Sequence, residues 1–94
     1  MAFNEFKMGY QFLVKSAGHL STIKIWCLDV ELIDGNIEIN TIAVTEIDGK
    51  MYSVLVKSVA FVDPPRMDNI FTLSIGQPEF SIALLEGRVL KSEI

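Results

Sequence analysis

The stretch Ile37-Glu38-Ile39-Asn40-Thr41-Ile42-Ala43-Val44-Thr45-Glu46-Ile47-Asp48-Gly49-Lys50-Met51-Tyr52-Ser53-Val54-Leu55-Val56-Lys57-Ser58-Val59-Ala60-Phe61-Val62 decides the fold. At its centre Asp48-Gly49 separates two runs rich in Ile, Val, Thr and Tyr. Asp and Gly tolerate the positive φ that a two-residue hairpin turn requires, so this is the strongest hairpin signal in the chain. Residues 37–47 read as the outgoing strand, with Asn40 as a candidate break. Residues 51–62 read as the return strand, with Tyr52, Val54 and Val56 on one face and Leu55, Val59 and Phe61 on the other. Apolar side chains on both faces predict a central or barrel strand rather than an edge.

Working outward, strand chemistry continues in both directions. Phe12-Leu13-Val14-Lys15 reads as a first strand ended by Ser16-Ala17-Gly18. Residues 20–32 read as one longer extended stretch, with Ile23, Ile25 and Cys27 on one face and Trp26 and Leu28 on the other. Asp34-Gly35-Asn36 is a turn, and Asp63-Pro64-Pro65-Arg66 must be a loop, because two prolines cannot donate to a ladder. In residues 69–75, Phe71, Leu73 and Ile75 alternate against Thr72 and Ser74, giving another strand before the Gly76-Gln77-Pro78 turn. Residues 80–85 and 88–90, separated by Glu86-Gly87, close the domain. No stretch has the period of a long helix; residues 1–10, where Phe3, Phe6 and Tyr10 can share a face, are the candidate for a short helix or an extended arm. The expectation is one all-β domain over residues 1–94. It is a small, closed or nearly closed antiparallel β-barrel of six to seven strands, since closure removes exposed edges from an apolar chain.

Composition narrows the function classes. Of 94 residues 50% are hydrophobic, and the mean hydropathy is +0.38, so the core forms without disulfides or metals; the surplus predicts either apolar surface that meets a partner or a second copy, or a dense core with a few exposed aliphatics. The net charge is −4, with 12 acidic against 8 scattered basic residues, which argues against holding nucleic acid by phosphate neutralisation. Cys27 is the sole cysteine, which excludes an intramolecular disulfide. The first ten residues carry Glu5 and Lys7 and no signal-peptide core, and no apolar run spans a membrane; the expected location is the cytoplasm.

Catalytic chemistry finds no clear carrier. On one continuous strand His19 and Cys27 stand roughly 26 Å apart and cannot form a nucleophile pair. One His and one Cys cannot supply a structural zinc site, and the closest acid pairs, Glu31 with Asp34 and Glu46 with Asp48, border turns where acids serve the backbone. The expectation is therefore no enzyme, no metal and no cofactor. For binding, Trp26 beside Leu28 is a candidate aromatic anchor, with a core tryptophan as the competing reading. The second candidate is the loop at residues 63–69, where Pro64 and Pro65 stiffen the chain, Arg66 offers a forked donor and Met67 an adaptable apolar contact.

From Phe12 onward the order of strands and turns resembles the second domain of translational GTPases, the elongation-factor-Tu domain-2-like β-barrel. Val30, Gly35, Ile37 and Ile39 in Asp29-Val30-Glu31-Leu32-Ile33-Asp34-Gly35-Asn36-Ile37-Glu38-Ile39-Asn40 look like that family's long ribbon. Leu73-Ser74-Ile75-Gly76, and a last strand ending Leu84-Leu85-Glu86-Gly87, look like its closing elements. Asp29 and Asn40 stand where the family usually has glycine. In that family the GTPase chemistry lies in a separate domain with a phosphate-binding loop, and no G-x-x-x-x-G-K-[ST] occurs here. The resemblance implies a stand-alone barrel that contacts partners, so the leading expectation is a non-catalytic protein-interaction module that binds a protein or itself. An RNA- or ribosome-associated module is the alternative, and would show Lys15, Lys24, Lys57 and Arg88 converging. A small-ligand binder or enzyme with a site in the barrel mouth, around His19 or paired acids, is the third reading.

Overall fold

The computed structural model describes residues 9–20, 24–61 and 69–93, without the side chains of Leu20 and Phe61. Its elements are β1 (Tyr10–Leu20), β2 (Ile25–Gly35), β3 (Thr41–Ile47), β4 (Lys50–Phe61), β5 (Ile70–Ile75), a 3-10 turn at Ile82–Leu85, and β6 (Val89–Ser92). The strands close a six-stranded barrel in the order β1-β2-β5-β4-β3-β6, and every neighbouring pair is antiparallel. The N-terminal helix or arm expected for residues 1–10 lies, up to residue 8, outside the described residues; Tyr10 itself opens β1.

Hairpin β3–β4 turns where the sequence places it. Asp48 and Gly49 have φ of 53° and 82°, the two positive values of a type I′ turn, and Ile47 pairs with Lys50. Asn40 is the break before β3: its φ is 62°, and its N–H donates to the Val56 carbonyl at 2.7 Å. Gly35, at φ +74°, ends β2 where a Cβ would lie 2.1 Å from the Gly9 carbonyl oxygen, so both backbone conformation and space require glycine.

Alternation fills the interior. Phe12, Val14, Leu28, Val30, Val56 and Leu73 are fully buried, and Leu85 and Leu90 join them from the C-terminal end. Tyr10 stacks on Phe12 with ring centroids 5.9 Å apart, and its hydroxyl bonds Thr41 Oγ1 at 2.6 Å. The Thr41 hydroxyl donates to the Glu38 carbonyl, so its one hydrogen is used and Tyr10 is the donor of the pair. Burial pushes the Tyr10 phenol above its ordinary value, and the Glu38 carboxylate adds to the shift.

Four sequence expectations are corrected. Residues 20–32 are not one extended stretch: β1 runs on through Gly18 to Leu20, and β2 begins at Ile25 as its hairpin partner. The chain reverses with Lys24 at φ 55°, a left-handed lysine that carries no glycine or asparagine signal. Val59 does not share an outer face with Leu55. A register shift between Val56 and Ser58 bulges Lys57, so Val56 and Val59 both face inward, opposite Ile75 and Leu73. A second shift, between Val14 and Ser16, bulges Lys15 and keeps Ala17 opposite the buried Leu28. Residues 80–85 do not form a strand: Ile82 and Leu85 lie three apart on one face of the 3-10 turn, both buried, and plug the barrel beside β1. Behind the plug, Gly87 N–H donates to the Val14 carbonyl, and Val14 N–H to the Arg88 carbonyl.

Candidate interaction surfaces

The β1–β2 hairpin sets Trp26 directly opposite His19, and β5 sets Ile75 on its other side. Trp26 shares its face with Leu28 as the alternation predicts, and barrel closure makes that face the inner one. At the start of β2 the indole is half-buried, packed against the core, and covered by the His19 ring at a centroid distance of 3.8 Å and an interplanar angle of 11°. Trp26 is thus a rim residue, apolar on its inner side and roofed by an exposed imidazole.

His19 lies in β1, on a different strand from Cys27. The hairpin brings it beside Cys27 after all, because the chain folds back at Lys24. The two still do not meet: Cys27 pairs with Gly18 and His19 with Trp26, and neighbouring pairs alternate between faces. The Cys27 thiol is pushed up by burial and by the Asp29 carboxylate, which disfavours the reactive thiolate.

Outside β1, β2 and β5, small polar side chains are bonded to one another. Asp29 accepts from the Ser16 hydroxyl at 3.0 Å and from the Thr72 hydroxyl at 2.8 Å, while Ser58 and Ser74 share a hydrogen bond of 2.6 Å. Lys15 reaches Glu31 at 3.5 Å, and the Ala17 N–H donates to the Glu86 carboxylate at 3.0 Å. The basic residues belong to different elements, Lys15 to the β1 bulge, Lys24 to the first turn, Lys57 to the β4 bulge and Arg88 to the residue just before β6, whose carbonyl accepts from the Val14 N–H next to Lys15. Among the described residues no group of three or more His, Cys, Asp or Glu could hold a metal ion, and no helix is long and apolar enough to cross a membrane.

The outside of β6, β3 and β4 is different. Ile42 stands opposite Leu55, Val44 between Ser53 and Lys91, and Val89 opposite Leu13. Met51 is 58% exposed, Val89 45% and Leu55 39%. Beside this wall runs a groove of about 540 Å³ between β4 and the segment 76–80, floored by Tyr52 and Phe80, whose rings meet edge to face at 4.9 Å. Lys50 lies over the Tyr52 ring, 5.5 Å from its centroid.

The groove exists because β5 is shorter than β4. Their register starts at Val56 opposite Ile75, and the last rung is Gly76 N–H to the Leu55 carbonyl at 2.9 Å. Beyond it the chain leaves the track through Gln77 and Pro78, and a proline has no N–H with which to extend a ladder. Sequence reading placed the turn at Gly76-Gln77-Pro78 but not this consequence, which depends on how far β4 extends past it. The candidate contacts Pro64, Pro65, Arg66 and Met67 lie outside the described residues; Asn69, at their border, has φ 59° and its carbonyl accepts from Leu32 N–H at 2.9 Å. Compared with protein families, with characterised proteins and with solved structures, the chain matches none of them.

Proposed function

We propose that this barrel is a non-catalytic module that binds another polypeptide. One observation carries the reading: on the outer wall of β3 and β4, Leu55 and Met51 are exposed near the half-buried Ile42 and Val44, and Val89 of β6 is exposed opposite Leu13, in a chain whose interior is already filled. Exposed apolar side chains rimmed by charged ones, here Glu46, Lys91 and Glu93, are what partner proteins cover. The opposed faces of His19 and Cys27, and the upward-shifted thiol, support a binding role over a nucleophilic one. Kinship with the second domain of translational GTPases rests on the sequence patterns at residues 29–40 and 73–87, and would make that partner-binding role a shared one.

The test compares the wild-type chain with Val89→Glu, which places a charge on the wall away from the groove. Light scattering over a range of concentrations gives the solution mass, and crosslinking in extract of the source cell reveals other partners. A self-associated species or a specific crosslinked protein, lost in Val89→Glu, is the expected result. A monomer that crosslinks nothing, or a partner indifferent to Val89→Glu, overturns the assignment to this wall.

A further inference from the structure

We propose that the open side of β4 at residues 51–55 is a strand-addition site, taking an extended segment of a partner protein that is uncharged over its central residues. This rests on the reading of the chain as a polypeptide-binding module and names how the partner is held.

Backbone geometry carries the argument. In a two-residue hairpin the pair flanking the turn is hydrogen-bonded, and bonded and non-bonded pairs then alternate along the ladder. Ile47 and Lys50 are that pair, so Tyr52 and Val54 bond β3 while Met51, Ser53 and Leu55 direct their N–H and C=O groups to the opposite side. The Leu55 carbonyl, which accepts from Gly76 N–H, fixes the direction independently. Among the described residues no hydrogen bond joins Met51 or Ser53 to residues 76–80, and the Leu55 N–H has no rung of its own. Between the turn and the Gly76 rung, β4 therefore presents the unused donors and acceptors of Met51 and Ser53, at the two-residue repeat of a strand, about 7 Å.

What fits such a row is another main chain, since no side chain repeats donor and acceptor at that spacing. The vacated β5 track supplies the direction: an added strand continues it antiparallel to β4, with Gly76 bonded to Leu55 as the rung that sets its register. Every second residue then faces in, towards Tyr52 and Phe80, and the residues between stand beside Met51, Ser53 and Leu55. Apart from Lys50 and Glu79 the groove lining carries no charge, so the segment must be uncharged in its middle. A second copy fits less well, because its own β4 edge is recessed beside residues 76–80, and two recessed edges cannot come within strand spacing of each other.

The experiment is residue-resolved amide exchange by NMR on the full chain, with and without a short synthetic peptide of alternating threonine and valine capped by a lysine at each end. In the free protein, Met51 and Ser53 amides should exchange fast, while those of Tyr52 and Val54, bonded to β3, are protected. Millimolar peptide should slow exchange at Met51 and Ser53 by at least about tenfold, an effect of a pair of ladder hydrogen bonds. The same peptide N-methylated on its bonding edge should give no protection. Ser53→Pro removes a donor on the open side only and should abolish binding; if that variant does not fold, the N-methylated peptide decides alone. Met51 and Ser53 amides already protected in the free chain, or unprotected at millimolar peptide, would overturn the proposal. So would equal binding of the N-methylated peptide, or protection that grows with protein concentration alone, which would assign the edge to a second copy. A partner lost in Val89→Glu that leaves Met51 and Ser53 unprotected would remove this inference while the proposed function stands.

Discussion

The wall formed by β1, β2 and β5 and the wall formed by β6, β3 and β4 enclose the same core yet differ in what they show to the outside. On the first, Asp29, Ser16 and Thr72 are bonded to one another, and Lys15 and Glu31 are paired. On the second, Ile42, Val44, Leu55 and Val89 present methyl groups. Their inner faces are alike, with Leu28, Val30 and Leu73 in one and Ala43, Val56 and Leu90 in the other, all fully buried. Closing the barrel therefore does not require the outer difference. The first wall bonds its polar groups to one another, with Ile33 exposed near its end, whereas on the second wall Met51, Leu55 and Val89 stay exposed among Glu46 and Lys91, and part of the high mean hydropathy resides there.

The comparison breaks first at the core if the two inner faces are not equivalent. Leu73→Ala in the polar wall and Leu90→Ala in the apolar wall each remove a fully buried side chain. Each should cost about 2–5 kcal/mol, by transfer plus residual cavity. Chemical denaturation measures both; similar values support one shared core. A loss near zero for Leu90→Ala would mean that β6 is a loosely held closing strand, and that the second wall is the weaker one.

A smaller effect sharpens the polar side. Asp29→Ala deletes the acceptor of two hydroxyl donors and should lower stability by about 1–2 kcal/mol, an exposed network being partly replaced by water. Thr72→Val alone should lose less, and the double variant should lose less than the sum of the two, because both remove the same bond. Additive losses would show that Asp29 and Thr72 do not act as a unit.

Alkaline titration probes the seam where the walls meet. Tyr10 of β1 donates to Thr41 of β3, and its folded pKa is raised by burial. The folded state thus holds this proton to higher pH than the unfolded chain does. The contribution is fully present below the unfolded value of about 10 and is lost as pH rises through the folded one. Stability should fall from about pH 10 upwards, and Tyr10→Phe should flatten that fall while lowering neutral-pH stability by about 1 kcal/mol through the lost hydrogen bond. An unchanged alkaline slope in Tyr10→Phe would assign the fall to other groups.

These differences were legible in the sequence to unequal depth. Asp48-Gly49 and the two-faced apolar run after it were enough to name a barrel strand and, through it, a closed all-β fold, because turn chemistry and period-two alternation are local signals. Lys24 at a positive φ, and the bulges at Lys15 and Lys57, leave no local signal, since they answer to closure and to pairing with strands distant in sequence. One slipped residue was sufficient to move Val59 from the expected outer face to the core. The face Trp26 shares with Leu28 was readable; that it turns inward depended on the hairpin at Lys24, which was not. The open half of β4 follows from the unequal lengths of two strands, and sequence gives boundaries least well.

The smallest expected effect on stability tests the apolar wall most directly. Val89 and Leu55 are exposed at 45% and 39%, with their backbones held by ladders that a side-chain change leaves intact. Val89→Lys and Leu55→Lys should each change stability by within about 0.5 kcal/mol, the range of surface substitutions away from buried groups. Both should nevertheless weaken association with whatever covers the wall, and Leu55→Lys should in addition weaken the alternating peptide, since its side chain flanks the open edge of β4. The two losses separate the surfaces: Val89→Lys affecting association but not the peptide places the wall and the groove as distinct contacts, whereas a stability loss above 1 kcal/mol for either would mean that the wall is already covered by the chain itself.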